Sequence, residues 1–227
     1  MKSALRPIRV WGVGTPRTMR PHWILSELDL EYEVEGVLPR SPAMESAEFQ
    51  AISPRRKVPM LEHGDLVVGE SGAILFHLAD HYRDRVSLAP PSGSDERATF
   101  DDLCLFALME LDAPLYIIRR HEGLPAIYGE SPVAADSARE YFLRQSGEIA
   151  RRLSDGRTYL LGDDFSVADI LVSTCLAWAR FVGIDVVEAL SDYQSRVTAR
   201  PAFALATKRN FPPAAIAGMR NQAASGS

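Results

Sequence analysis

Arg56-Lys57-Val58-Pro59-Met60-Leu61, followed after a short gap by Gly69-Glu70-Ser71-Gly72-Ala73-Ile74-Leu75, decides how the rest of the chain is read. A proline opens an apolar strand pattern, and an acidic-hydroxyl pair opens a helical one. A Val-Pro bond can be cis, and a cis bond here would turn the Val58 backbone N–H and C=O outward, where an extended peptide can pair with them. Glu70 offers a carboxylate to an ammonium group. Ser71 offers a hydroxyl beside helix N-terminal N–H groups, a place suited to a carboxylate. Together they would hold the backbone of a small peptide with a free amine and a free acid. The same residues also read as a proline starting an edge strand and a serine capping a helix. The surroundings decide between the two.

Upstream, Ile8 to Val13 reads as a buried strand, broken by Gly14 and Pro16. A helix follows through Trp23, Leu25 and Leu28 to Leu30, and Tyr32, Val34 and Val37 alternate as a second strand. Residues 39–54 carry Pro39, Pro42 and Pro54 and read as a loop with one short helix. Val58–Glu62 and Leu66–Val68 form two short strands around the turn His63-Gly64-Asp65. Ser71 then opens a helix through Ile74, Leu75, Leu78 and Tyr82. This order implies a four-stranded mixed sheet with helices on its faces.

Downstream the pattern is helical. Residues 87–94, Ser-Leu-Ala-Pro-Pro-Ser-Gly-Ser, are the clearest linker. Asp95 and Glu96 begin a helix where negative charge suits the dipole. It continues through Phe100, Leu103, Cys104, Ala107, Leu108 and Leu111, and Pro114 is expected to kink or end it. Ser131-Pro132 reads as an N-cap with proline at the first helical position, opening a helix that carries Tyr141, Phe142, Ile149 and Leu153. Ser166-Val167-Ala168-Asp169 is a capping box with Asp in place of Glu or Gln, and Phe165 and Ile170 occupy its hydrophobic-staple positions. The helix it opens runs to Val182, with Trp178 and Phe181 read as core. A helix over Val186–Val197 and a last one from Pro201 follow. The tail Asn221–Ser227 is small and polar and is expected to fray.

The chain has 227 residues, 46% of them hydrophobic and 24% charged, enough for a packed core. Its formal net charge of -5 argues against a general nucleic-acid binder, and Arg55-Arg56-Lys57, the densest basic run, is too short to line a polyanion groove. No apolar run approaches the roughly 20 residues of a membrane span. Met1–Arg6 enters a strand pattern directly and lacks a signal-peptide core. Cys104 and Cys175 have neither metal-ligand nor Cys-x-x-Cys spacing and read as buried free thiols in a reducing cytoplasm. His22, His77, His81 and His121 show no convergent metal spacing, so no metal is expected.

These features together resemble the cytosolic glutathione transferase family over roughly residues 7–210. The resemblance is carried by Val10-Trp11-Gly12-Val13-Gly14-Thr15-Pro16-Arg17-Thr18, by Lys57-Val58-Pro59, by Glu70-Ser71, and by Phe165-Ser166-Val167-Ala168-Asp169-Ile170, with the Pro-rich linker between. It implies an α/β plus all-α architecture: a thioredoxin-like domain over 1–86, a linker at 87–91, and an all-helical domain over 92–227. It also implies a cis Pro59, a homodimer, a cytoplasmic location, and a role in detoxification, with glutathione as co-substrate and a small electrophile as second substrate.

Glutathione carries one ammonium, two carboxylates and a thiol. A free thiol has a pKa of about 8.5, so lowering it by about 1.5–2 units takes about 2–3 kcal/mol of preferential thiolate stabilisation. A short charge-assisted hydrogen bond at a helix N-terminus supplies much of this. The resemblance puts a catalytic hydroxyl in the Thr15 turn, where the family's serine classes have Ser. Thr15 also reads as a plain N-cap with Pro16 at the first helical position, but if the helix began there, Pro21 would lie in its interior. We therefore expect Thr18 to cap the helix and Thr15 to stay in the loop above, with Thr18 the second choice for the sulfur contact. Arg17 projects from the same turn as a further thiolate-stabilising candidate. Val58 and Pro59 are expected at the cysteinyl backbone, and Glu70 and Ser71 at the γ-glutamyl end. Lys57 is expected near the glycyl end. Arg56 replaces the Gly common before that Lys and is either a second cation there or a solvated side chain. Arg40 is a further candidate. Met109, Ala113, Tyr116 and Arg120 are candidates for the second-substrate cleft or are ordinary core and surface residues. Two other functions stay open: glutathione-dependent disulfide or peroxide reduction, and a binding protein of the same fold without turnover.

Overall fold

The computed structural model describes residues 6–225, with side chains described through Arg220. Met1–Leu5, read above as entering the first strand pattern without a leader, lie outside the described residues, as do Gly226 and Ser227 of the tail. The chain divides into two units, one running through Val86 and taking in Pro201–Ser225, the other Ser87–Arg200.

In the first unit, alternation of side chains sets the sheet. The elements are β1 (Ile8–Trp11), α1 (Pro16–Glu27), β2 (Glu33–Glu35), a 3-10 turn at Pro42–Glu45, α2 (Ala47–Ile52), β3 (Met60–His63), β4 (Leu66–Gly69) and α3 (Ser71–His81). The four strands lie in the order β2-β1-β3-β4, with β1 and β2 parallel and the other neighbours antiparallel. Val10 faces Leu61 across the ladder and Leu61 faces Val68, placing two fully buried side chains at the sheet centre. Beneath the loop after β2, Trp11, Val37, Met44, Phe49 and Met60 form one apolar cluster. At about 25 cal/mol per Å², fully burying side chains of this size stabilises by about 1.5–3 kcal/mol each.

His63 on β3 meets His77 and His81 of α3. Its Nδ1 lies 2.8 Å from His77 Nε2, and the Tyr82 hydroxyl lies 2.9 Å from its Nε2. The sequence spacing hid this convergence because it joins a strand to the next helix. Among the described residues no group of three His, Cys, Asp or Glu is arranged to hold a metal ion.

Two further helices belong to this unit: α10 (Pro201–Asn210) and α11 (Pro213–Ser225). They replace the single last helix expected from Pro201, and they depart from the expected assignment of 201–227 to the helical domain. The reason is burial: α10 packs on α1, with Phe203 against Trp23 at 4.7 Å, and Ala215 of α11 joins Val13 and Leu38 in a core cluster. The residues 221–225, expected to fray, complete α11.

The second unit is helical: α4 (Asp95–Phe106), a π-helical segment (Ala107–Asp112), α5 (Ala113–His121), α6 (Pro125–Tyr128), α7 (Pro132–Leu153), α8 (Val167–Phe181) and α9 (Glu188–Thr198). Pro114 lacks the amide that would bond the Glu110 carbonyl. The π-helical segment carries the chain past it where a kink or an end was expected. Ser131 precedes α7 with Pro132 at the first position, as expected, but its hydroxyl makes no cap bond. At the head of α8, buried Asp169 accepts the Ser166 N–H at 2.9 Å, the Ser166 hydroxyl at 3.0 Å, the Leu160 N–H at 3.0 Å and the Tyr193 hydroxyl at 2.8 Å. Burial pushes its carboxyl pKa up, and these donors oppose that shift. Trp178 is core, but Phe181 is 72% exposed, because it shares the outer face of α8 with the exposed Ala177 and Arg180 while Trp178 and Ala179 of the same turn face inward. Cys104 and Cys175 are buried free thiols, and burial pushes the Cys104 thiol up.

Candidate functional site

Three chain ends of the first unit supply the site: the turn between β1 and α1, the approach to β3, and the start of α3. Gly12 links the first two. Its φ is +116°, and a Cβ added there would lie 2.7 Å from Val58 Cβ and 2.9 Å from Thr18 Cγ2. Only glycine lets the turn and Val58 approach this closely. His22 holds the turn from behind. Its Nε2 lies 3.0 Å from the Gly12 carbonyl, which can only accept, so Nε2 carries the proton and Nδ1 accepts from the Tyr32 hydroxyl at 3.0 Å. Burial lowers the His22 pKa to about 4.

The α1 start differs from expectation. The helix begins at Pro16 with Thr15 as its N-cap, and Pro21 lies inside it. Thr18 sits at N3, where it forms a reciprocal box: Thr18 N–H donates to Thr15 Oγ1 at 3.0 Å, and Thr15 N–H donates to Thr18 Oγ1 at 2.9 Å. Pro21 removes one helix bond, the one to the Arg17 carbonyl. Starting at Thr18 would instead forfeit the box and the favourable proline at N1. Thr18 is fully buried and its hydroxyl donates at 2.7 Å to Asn210 Oδ1. Thr15 is half-buried, its Oγ1 acceptor side engaged by the Thr18 N–H at the positive end of α1. Arg17 follows Pro16 in the first turn and is half-buried.

Sequence reasoning missed Asn210. It is fully buried at the end of α10, donates at 3.0 Å to the Thr15 carbonyl, and takes the Gly14 N–H on its own carbonyl at 2.8 Å. No local signal marks it, since about 195 residues separate it from its partners.

The Val58-Pro59 peptide is cis, and Pro59 is buried. Among the described residues nothing hydrogen-bonds to the Val58 N–H or C=O, so a backbone donor and acceptor stand at the head of β3. Ser53 fixes the preceding residue: its hydroxyl takes the Lys57 N–H at 3.0 Å and lies 2.9 Å from the Lys57 carbonyl. The Lys57 side chain is exposed. Arg56 is exposed with φ +51° and pairs with Glu45 at 3.0 Å. Arg40 is also exposed with φ +61°.

At the third end, Glu70 precedes α3 with φ +61°, and no side chain caps the helix. The first helix bond runs from Ile74 N–H to the Glu70 carbonyl at 3.0 Å, so the amides of Ser71, Gly72 and Ala73 project from the helix end. Ser71 is buried, and its hydroxyl accepts from Arg20 Nη1 at 3.0 Å, tying α3 to α1. The exposed Glu70 carboxylate pairs with Arg55 at 3.2 Å, a partner that sequence reading passed over. The structure thus offers an anion-receptive helix end beside a carboxylate, an open strand edge, and a polarised hydroxyl.

In the second unit, Met109 and Ala113 line a groove of about 480 Å³ with Ile117, Ala138 and Tyr141. Tyr116 and Arg120 lie instead with Tyr128, whose ring is 4.5 Å from the Arg120 guanidinium. The four candidates for the second substrate therefore fall into two places.

Comparison with known proteins gives the family. Residues 6–80 match the glutathione S-transferase N-terminal domain, and residues 131–204 match the glutathione S-transferase C-terminal domain. A glutathione S-transferase-like protein of Aspergillus fumigatus is 38% identical over 93 residues, 40% of this chain and 40% of its own length, so this match spans less than half of either. Glutathione S-transferase 1 of Schizosaccharomyces pombe is 28% identical over 178 residues, 76% of this chain and 74% of its own. The crystal structure of a glutathione transferase from Methylococcus capsulatus superposes with a TM-score of 0.78 at 28% identity, over 89% of this chain and 98% of that one. With both domain types matched in order on a fold of this kind, the chain belongs to the glutathione S-transferase family.

Proposed function

We propose that the protein is a glutathione transferase that joins the glutathione sulfur to a small electrophile. The Thr15 hydroxyl carries this reading: it is half-buried, seated at a helix N-terminus with the Thr18 N–H on its acceptor side, and its proton meets only a neutral protein acceptor, Thr18 Oγ1 at 3.0 Å, which a thiolate can displace. Val58 would pair through its backbone N–H and C=O with the cysteinyl backbone, presented by the cis bond to Pro59. The α3 amides with Ser71 would take the γ-glutamyl carboxylate, and Glu70 its ammonium. Lys57 and Arg56 would face the glycyl carboxylate, with Arg17 adding positive charge near the sulfur. The thiol releases its proton to solvent, and the thiolate accepts the Thr15 O–H. Its sulfur then attacks an electrophilic carbon, forming a C–S bond as a halide or similar group leaves with its electron pair. The burial of Thr18 supports Thr15 over Thr18 as the sulfur contact. Both cysteines lie buried in the helical unit, which favours a hydroxyl-based over a cysteine-based reaction.

The reading includes a homodimer, supported by the exposed Leu66 and Val67 on the edge strand β4, and a cytoplasmic setting; among the described residues no helix is long and apolar enough to cross a membrane. Conjugation of an aryl halide in the presence of glutathione tests it. Wild type should turn over, and Thr15→Ala should lose about 10- to 100-fold in kcat/KM, the worth of one charge-assisted bond. Equal rates would remove Thr15 from its role. Reduction of a glutathione mixed disulfide without aryl transfer would favour the reductase instead.

A further inference from the structure

The hydrogen bonds around Thr15 assign their protons in one way. Asn210 Nδ2 donates to the Thr15 carbonyl at 3.0 Å, which turns its Oδ1 toward the Thr18 hydroxyl at 2.7 Å. Thr18 has one hydroxyl proton. Its alternative acceptor, the Thr15 carbonyl at 3.0 Å, already receives Asn210 Nδ2 and the Met19 N–H, so the shorter contact to Asn210 takes the proton. Thr18 Oγ1 then only accepts, from the Thr15 N–H at 2.9 Å and, at 3.0 Å, from the Thr15 hydroxyl. The Thr15 proton is left with one protein acceptor, a neutral oxygen. A thiolate competes well for it, because hydrogen bonds to charged acceptors are roughly twice as strong as neutral ones.

We propose that Asn210 is a positioning residue of this site: by holding the Thr15 carbonyl, the Gly14 amide and the Thr18 hydroxyl together, it sets the direction in which Thr15 donates to a bound thiolate. The inference rests on the proposed role of Thr15. Asn210 is fully buried, and it engages the turn through its side-chain donor, its side-chain acceptor and its main-chain carbonyl. A primary amide on a short stem meets the side-chain requirement. Aspartate lacks the donor and leucine lacks both groups.

The test is the pH titration of the thiolate absorbance of glutathione bound to the 227-residue chain, with S-methylglutathione affinity measured alongside. Asn210→Leu and Asn210→Asp should raise the bound thiol pKa by about one unit, a roughly tenfold loss of thiolate at low pH. S-methylglutathione, which has no thiol, should bind as to wild type. Thr18→Val should shift the pKa in the same direction by less, since it keeps the Asn210 bond to the Thr15 carbonyl. Combined with Asn210→Leu it should add less than its own shift, because both break one link. Lys208→Ala, exposed on the same helix, should match wild type. Wild-type pKa values in the Asn210 variants, with a raised value in Thr15→Ala, would overturn the proposal and leave the Thr15 role standing. A wild-type value in Thr15→Ala would overturn both. If the Asn210 variants do not fold, Thr18→Val decides: an unshifted pKa there overturns the proposal, and a raised one supports it.

Discussion

Replacing Gly12 by alanine should damage the site, while replacing Gly36 by alanine in the same unit should not. At Gly12 the new methyl would lie 2.7 Å from Val58 Cβ, an atom fixed to the backbone, and 2.9 Å from Thr18 Cγ2, at a φ of +116°. Holding a non-glycine residue there costs about 1–3 kcal/mol. Overpacking a closed contact costs about 1–3 kcal/mol more. The expected loss of stability is therefore on the order of 2–6 kcal/mol, a large share of the 5–15 kcal/mol typical of a folded protein. Because the strain relaxes by pushing Val58 outward, affinity should fall as well. Losing two backbone hydrogen bonds of about 1 kcal/mol each is roughly 30-fold. Gly36 has no heavy atom within 4 Å of an added Cβ and no positive φ, so alanine there should stabilise by up to about 1 kcal/mol through the unfolded state. Urea unfolding and calorimetric titration with glutathione read both effects. A Gly12→Ala protein with wild-type stability and affinity would refute the close approach of Val58 to the turn.

Other perturbations reach the support of the site. Asp169→Ala leaves four donors at 2.8–3.0 Å without an acceptor and should cost about 4 kcal/mol or more by urea unfolding, against about 1–2 kcal/mol for Tyr193→Phe. His22 has a folded pKa of about 4 against an ordinary 6.5, so the unfolded chain binds its proton first. Its contribution should be complete above pH 6.5 and fall by about 3 kcal/mol as pH drops to 4. His63, also near 4, should add to the fall, and His22→Gln should flatten the slope measured between these limits. Arg56→Gly relieves a left-handed arginine at the loss of one exposed ion pair, and should leave stability unchanged or raise it by up to about 1 kcal/mol in thermal unfolding.

Local grammar explains which parts of this site were readable. The Ser166–Asp169 box declares itself because capping chemistry acts over three or four residues, and Glu70-Ser71 marks a helix start although no side chain caps it. Val58-Pro59 does so because a proline at a strand head narrows the backbone. Even within that range competing preferences mislead: Pro21 argued for a helix start at Thr18. One lost bond to Arg17 weighs less than the Thr15–Thr18 box and the burial of Trp23, Ile24 and Leu25 in the same helix. The π-helical passage before Pro114 is a compromise of the same sort, set by packing in the helical unit. Asn210, the His63–His77 contact and the return of α10 to α1 are long-range choices. Spacing along the chain holds no record of them, because only the folded backbone makes these residues neighbours.

The central claim is that Thr15 lowers the pKa of the thiol this protein binds. Titrating the thiolate absorbance of glutathione in complex with wild type and with Thr15→Ala tests it directly. The wild-type complex should titrate about 1.5–2 units below the roughly 8.5 of a free thiol, and Thr15→Ala should recover most of that difference. Identical titrations for the two proteins, or a wild-type complex that titrates like free glutathione, would contradict it.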